Sequence, residues 1–344
     1  MVSSLSCPDK NDAVVIENLS RTFGELRAVD DISFSIPRGQ VTGFVGANGA
    51  GKTTTMRILA TLDTPTHGSA QVMGYDVVEE SNKVRSLLGW MPDNYGSYEN
   101  TTVIDYLDFF ARAQGIRDKE RIARVRDVME FTELSPIADR LIDKLSKGMG
   151  QRLCLGRALI HDPEVLILDE PAAGLDPKAR VELKHLIRIL AQDGKSIFIS
   201  SHILSELEEM CDSLLLINQG RIVHYGSAEE LKRSSKESLL VHVDIAGDTG
   251  SLQSWAEMTP HVEFVESTKH GGQIALDSAE DDVLADTLRR MIESGLRVTE
   301  FKRIERRLED AFVDILSDLS QSDSPEPPPL PNNPNSPVSG RDSL

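Results

Sequence analysis

Gly46-Ala47-Asn48-Gly49-Ala50-Gly51-Lys52-Thr53 stands between two apolar stretches, Val41-Thr42-Gly43-Phe44-Val45 before it and Met56-Arg57-Ile58-Leu59 after it. G-x-x-x-x-G-K-[ST] between a strand and a helix is the arrangement in which backbone N–H groups and a helix N-terminus surround phosphate oxygens. Glycines allow positive φ and bring the loop backbone close to those oxygens. Lys52 can reach the β- and γ-phosphates, and Thr53 can offer a hydroxyl to Mg²⁺. The loop predicts an α/β chain that binds a nucleoside triphosphate. Alone it does not separate a kinase from a GTPase or a motor.

Residues 145–202 make that separation. Val165-Leu166-Ile167-Leu168-Asp169-Glu170 reads as a buried parallel strand ending in two carboxylates, at the strand edge where open α/β sheets bind ligands. That position suits Asp169 to the magnesium shell and Glu170 to an attacking water. Upstream, Leu145-Ser146-Lys147-Gly148-Met149-Gly150-Gln151-Arg152 leads into an apolar helix, Leu153 to Ile160. Downstream come Gly174-Leu175-Asp176-Pro177 and a second apolar strand, Ser196 to Ser201, followed by His202. Any one of these pieces is commonly a solvated turn or a satisfied loop residue. Their fixed order and spacing point to a single site.

On these motifs, over about residues 13–230, the chain resembles the nucleotide-binding subunit of an ATP-binding-cassette (ABC) transporter, and its C-terminal region, below, resembles the export-type subclass. The resemblance implies ATP and Mg²⁺ as ligands. It assigns Gly46, Ala47, Asn48, Gly49, Ala50, Gly51, Lys52 and Thr53 to the Walker A loop, with Thr54 beside the α-phosphate. Asp169 becomes the Walker B aspartate, Glu170 the catalytic glutamate, Ser146 and Gly148 the signature loop, Asp176 the D-loop and His202 the switch histidine. Phe23, before Gly24 and ahead of a strand pair, is similar to the aromatic that stacks on adenine. The implied fold is a P-loop NTPase cassette with an antiparallel β subdomain and a helical signature subdomain.

Three positions depart from the family pattern. Leu88-Gly89-Trp90-Met91-Pro92 is followed by Asp93, where the Q-loop has Gln or Glu; a carboxylate there can still hold magnesium or water. Lys147 and Met149 replace the common signature Gly and Gln, leaving Ser146 and Gly148 as the γ-phosphate donors. Ala173 replaces a common D-loop serine and leaves Asp176 to carry that contact.

The resemblance also implies a dimer, homomeric or heteromeric. One signature and one Walker loop per chain serve opposite faces of a bound ATP, so two copies sandwich two nucleotides head to tail, each signature helix aiming its N-terminus at the other copy's γ-phosphate. Glu170 then orients water while His202 and Lys52 neutralise developing charge. The expected partner is a separate transmembrane permease, with peripheral attachment at the cytoplasmic face of the cell membrane. A soluble cassette ATPase acting on ribosomes or DNA is the alternative. Such relatives usually carry two cassettes, or a coiled coil and a basic surface.

Composition speaks against a nucleic-acid partner. The 344 residues carry a formal net charge of −18, and residues 231–344 hold 12 Lys and Arg against 21 Asp and Glu, a net −9. Cys7, Cys154 and Cys211 form no C-x-x-C pair, which fits a reducing compartment, with Cys154 in a core helix. No run approaches ~18 consecutive apolar residues, and Met1 to Asp12 has no secretion signal, so a cytoplasmic location is expected.

Three regions follow. Residues 13–230 form the nucleotide-binding domain, with a helical subdomain over 94–160 in which Val103–Ala113 and Ile122–Phe131 have helical spacing. Gln219-Gly220 supplies a hairpin turn. Residues 237–316 form an accessory domain whose strands and helices run β-α-β-β-α-β, the order of a small ferredoxin-like α+β fold. Arg307-Leu308-Glu309-Asp310-Ala311-Phe312 opens a last helix similar to the closing helix of export-type cassettes. Residues 317–344, with seven prolines among Ser, Asn and Asp, are expected to be disordered.

Overall fold

The computed structural model describes residues 12–93, 96, 99–208, 210–234, 239–278, 280–304, 308–310, 312 and 313. The chain starts with a hairpin, β1 (Asp12–Phe23) and β2 (Leu26–Pro37), followed by β3 (Val41–Val45) and α1 (Lys52–Leu59). Next come β4 (His67–Val72), β5 (Tyr75–Asp76), α2 (Ser81–Leu87) and β6 (Leu88–Met91). Helices α3 (Val103–Ala113), α4 (Asp118–Phe131) and α5 (Lys147–Leu159) form the helical portion. The chain returns through β7 (Val165–Leu168), α6 (Pro177–Gln192), β8 (Ser196–Ser201), the short α7 (Leu204–Glu208), the hairpin β9 (Ser213–Asn218) and β10 (Arg221–Gly226), and α8 (Ala228–Ser234).

Strands β9, β3, β8, β7 and β6 pair in parallel, and β10 closes one edge antiparallel, giving the order β10-β9-β3-β8-β7-β6. All of β3, β7 and β8 is buried. Their uninterrupted apolar character follows from two cores, one on each face. Val41, Leu166, Leu168, Ile197 and Ile199 join the core shared with α3 to α6. Their neighbours Phe44, Val165, Ile167 and Phe198 join the core under the second sheet, β2-β1-β4-β5. Phe34 of β2 lies 6.1 and 5.9 Å from the rings of Phe44 and Phe198, which stack at 5.0 Å, so aromatic contacts bind the two sheets.

This is the α/β cassette with an antiparallel subdomain that the sequence predicts. One detail differs: Phe23 is the last residue of β1, paired with Leu26 across the turn at Gly24, and so lies inside the first hairpin rather than ahead of it. The signature helix also starts earlier than Leu153, at Lys147, because Ser146 caps it.

The third sheet is β12-β13-β11-β14, built from β11 (Leu239–Ile245), α9 (Gly250–Met258), β12 (Val262–Ser267), β13 (Gly271–Leu276), α10 (Asp281–Glu293) and β14 (Val298–Arg303). All its pairs are antiparallel. Val241, Val243, Ile274 and Met291 fill a separate core with Leu252 and Trp255 of α9. Residues 308–310 and 312–313 are helical, and Leu308 is buried in the core of the nucleotide-binding region. Cys154 is fully buried, and burial pushes its thiol up to about 11. Cys7, Arg307 and the tail over 317–344 lie outside the described residues.

Candidate active site

The parallel register brings three strand ends together. Val45 of β3 pairs with Ser201 of β8, and Leu168 of β7 pairs with Ile199. The loop 46–53 leaves β3, Asp169 and Glu170 leave β7, and His202 leaves β8, all at the C-terminal edge.

Close packing shapes the loop. A Cβ on Gly46 would fall 2.4 Å from Ile217 O, and one on Gly51, at φ +109°, 2.5 Å from Ala28 O. Gly220 N donates to Ala50 O at 2.9 Å, so the turn of the β9–β10 hairpin braces the loop from outside. Gln219 and Gly220 both have positive φ there, as a tight hairpin turn requires. Gly51 begins α1 without any side-chain cap, which leaves the first N–H groups of the helix available to an anion. Lys52 is buried, and its ammonium donates to Gly46 O at 2.7 Å and Ala47 O at 3.3 Å. Thr53 is exposed and Thr54 half-buried at the start of the helix.

Asp169 is 2% exposed and accepts from Ser200 Oγ at 2.7 Å, while Glu170 N donates to the same Oγ at 2.8 Å. Burial pushes the Asp169 carboxyl above the usual range, hydrogen bonds from Ser200 and Thr53 oppose this, and the Glu170 and Asp93 charges add to the rise. Glu170 sits at φ +49°, a left-handed conformation unusual for a residue with a side chain. Its carboxylate bridges two groups, with Oε1 3.5 Å from Lys52 Nζ and Oε2 2.8 Å from His202 Nδ1. Asp93, exposed, follows β6 on the other side of β7, whose Asp169 N donates to Met91 O at 2.8 Å.

A hard cation fits this corner. A buried carboxylate held by hydroxyls, with Thr53, Glu170 and Asp93 nearby, offers oxygen donors alone and excess negative charge.

The structure brings together the loop 46–53, Asp169, Glu170, His202 and Asp93. The signature and D-loop residues it places on helix starts. Ser146 caps α5, its hydroxyl accepting from Met149 N at 3.4 Å, and Gly148 packs where a Cβ would be 3.1 Å from Ala179 Cβ. Asp176, expected to carry the D-loop contact, spends Oδ1 on capping α6 by accepting from Ala179 N at 2.9 Å. The Lys147 ammonium lies over Gly174 of its own chain's D-loop, where a Cβ would come within 2.4 Å of Nζ. Phe23 is exposed beneath the guanidinium of Arg21, 4.4 Å from the ring centroid.

Sequence reading missed Ser200, which fixes both carboxylate residues at once, and the Gly220 turn behind the loop. Ser200 could have been found from its position two residues before His202 at a buried strand end.

Fold and site together define a P-loop nucleotide-binding cassette. The family described as "ABC transporter" matches residues 29–173. The "Nod factor export ATP-binding protein I" of Ralstonia nicotianae is 34% identical over 302 residues, covering 87% of this chain and 92% of that protein. The chain belongs to the ABC transporter family, among its ATP-binding proteins. It is also 35% identical over 319 residues to the "Probable multidrug ABC transporter ATP-binding protein YbhF" of Escherichia coli; the match covers 92% of this chain and spans only 54% of that relative's length. A solved "ATP binding subunit of ABC transporter" superposes with a TM-score of 0.59 at 28% identity, over 64% of this chain and 92% of that one. No helix among the described residues is long and apolar enough to cross a membrane.

Proposed function

We propose that the chain is an ATP-hydrolysing subunit of an export-type ABC transporter, acting as a head-to-tail dimer beneath a separate membrane-spanning permease, at the cytoplasmic face of the cell membrane. The observation that carries this reading is the Glu170 carboxylate, held between Lys52 and His202 one residue after a buried aspartate. The names of the export and multidrug relatives support transport over action on ribosomes or DNA.

In this reading the amides of residues 46–53 bind the β- and γ-phosphates of ATP, and Lys52 exchanges its loop carbonyls for phosphate oxygen. Thr54 lies by the α-phosphate, and Phe23 stacks on adenine. Thr53 and Asp169, with Asp93 beyond, would hold Mg²⁺, whose chemistry there would be charge neutralisation. Glu170 orients the attacking water and accepts its proton, and His202 keeps that carboxylate aimed and donates toward the γ-phosphate. Ser146 and Gly148 serve the nucleotide of the other copy, and Asp176 sets the start of α6 at that interface.

Glu170→Gln tests the proposal, because it removes water polarisation without removing phosphate contacts. Steady-state hydrolysis is expected to fall at least about a hundredfold, with ATP affinity within about threefold of wild type and an ATP-bound dimer accumulating. Turnover above about a tenth of wild type overturns the role of Glu170.

A further inference from the structure

The loop carrying His202 is fastened from two directions. From within the nucleotide-binding region, Ser201 Oγ donates to Glu206 Oε2 at 3.0 Å and accepts from Ile203 N at 3.0 Å, so the residues flanking His202 are tied to one buried carboxylate. Arg180 Nη2 of α6 lies 3.1 Å from the other oxygen of Glu206. From the far end of the chain, Glu309 Oε1 accepts from Ser205 N at 3.1 Å, across 104 residues of sequence.

That second tie needs an account. Ser205 is the second residue of α7, and its N–H is among the donors a helix start leaves without an internal partner. Glu309 meets it with a carboxylate, which also suits the positive end of the helix. The placement of Glu309 is not left to a loose surface side chain. Leu308, beside it, is fully buried in the same core as Leu204, Leu207 and Leu231, and Phe312 packs against that core one turn later. The segment is thus anchored in the core to which Leu204 and Leu207 of α7 also belong, and it presents a carboxylate to the helix that starts two residues after His202.

We propose that residues 308–310, 312 and 313 are a positioning element for ATP hydrolysis: tied to α7 through Glu309, they fix the start of that helix and so hold His202 against Glu170. This rests on the hydrolytic reading given above. Glu309 acts through the loop 201–205, by way of its bond to Ser205 N. The domain of residues 239–304 lies between the nucleotide-binding region and this segment in sequence.

The experiment uses the full chain, with ATP turnover and amide hydrogen exchange measured on Glu309→Ala and Glu309→Gln. Glu309→Ala is expected to lower kcat about fivefold at unchanged KM for ATP and to speed exchange over residues 202–208 without altering β3 or β7. Glu309→Gln retains a carbonyl that can accept from Ser205 N and should restore both to within about twofold of wild type. Leu308→Asp, which undocks the segment, should reproduce or exceed the alanine effect. Wild-type kcat in Glu309→Ala, faster exchange with no change in turnover, or equal losses in the alanine and glutamine variants would each overturn the proposal. If the wild-type chain itself hydrolysed no ATP, the hydrolytic reading would fail, and the exchange data alone would report whether the segment holds α7.

Discussion

Helices α1 and α5 both begin at a motif, and their first turns are finished in different ways. At α1 the N-cap is Gly51, no side chain satisfies the first N–H groups, and Lys52 is folded back onto the loop carbonyls inside a buried setting. At α5 the N-cap is Ser146, exposed, with its hydroxyl spent on Met149 N over a long 3.4 Å. An uncapped, glycine-lined helix start with an ammonium beside it is prepared for an anion bound within this chain. A capped helix start on the surface can be finished by its own residues and gives up a weak bond when something better arrives. Under the proposed head-to-tail dimer, the difference separates the half of the site that a single chain completes from the half it would lend.

The sharpest way to break that contrast is to damage each half separately. Lys52→Ala should lower ATP affinity at least about tenfold, because the buried ammonium at the loop is lost. Ser146→Arg should leave ATP affinity of the isolated chain unchanged and lower turnover at least about tenfold, since a long cation blocks the face offered to the other copy. Mixing the two variants gives heterodimers in which one site carries both lesions and the other carries none. Equal mixing with random pairing should therefore recover about a quarter of wild-type turnover, although each variant alone is nearly inactive. If mixing recovers nothing, α5 does not serve a partner's nucleotide.

Legibility from sequence divides along a similar line. The loop 46–53, the carboxylates after β7 and the histidine after β8 were readable because local pattern suffices: an apolar run sets the strand, and the residue after its end lies at the ligand edge. The order of the accessory domain was readable for the same reason, since Leu239, Val241, Val243 and Ile245 alternate toward one core. What stayed hidden depends on partners remote in sequence. Ser200 stands at a buried strand end two residues before His202, which marks it as a site residue, but the partner of its hydroxyl, Asp169, is 31 residues away. Nothing near Gly220 announces Ala50, and Arg152 gives no sign of joining Glu133 to Glu182. The capping role of Asp176 is local, since an Asp followed by Pro177 is an ordinary helix start. Phe23 was misplaced relative to its hairpin because Gly24 reads equally well as the end of a loop or the tip of a turn.

A smaller effect is expected at Phe23, which sharpens the account of the half that binds within the chain. The ring is 45% exposed with Arg21 over one face, so a planar base can reach the other without displacing packed side chains. Phe23→Ala should weaken ATP binding about five- to thirtyfold, as expected for one base–aromatic stack, and Phe23→Tyr should stay within about twofold of wild type. Inorganic triphosphate carries no base, so its affinity should not change in either variant. Equal losses for ATP and triphosphate would instead make Phe23 a support for the loop.

The smallest effect on the isolated chain is expected at Asp93. It follows β6, beside the strand that delivers Asp169, and its charge adds to the rise in the Asp169 carboxyl caused mainly by burial. Raising that carboxyl opposes ionised Asp169, so Asp93→Asn relieves part of the opposition while keeping a side chain able to serve the turn. Chemistry in the isolated chain should therefore persist, with kcat within about twofold of wild type. Asp93 also lies, in sequence, between β6 of the nucleotide sheet and α3 of the helical portion. A permease segment seated between those two portions would sense a change in their arrangement, and a charged residue there is suited to report it. In the assembled transporter, Asp93→Asn should retain ATP binding and dimerisation and lose most permease-stimulated hydrolysis. The measurement is stimulated against basal turnover in reconstituted membranes. Full stimulation in Asp93→Asn would reduce Asp93 to turn chemistry, whereas loss of basal turnover would make its charge indispensable to the metal corner it shares with Asp169.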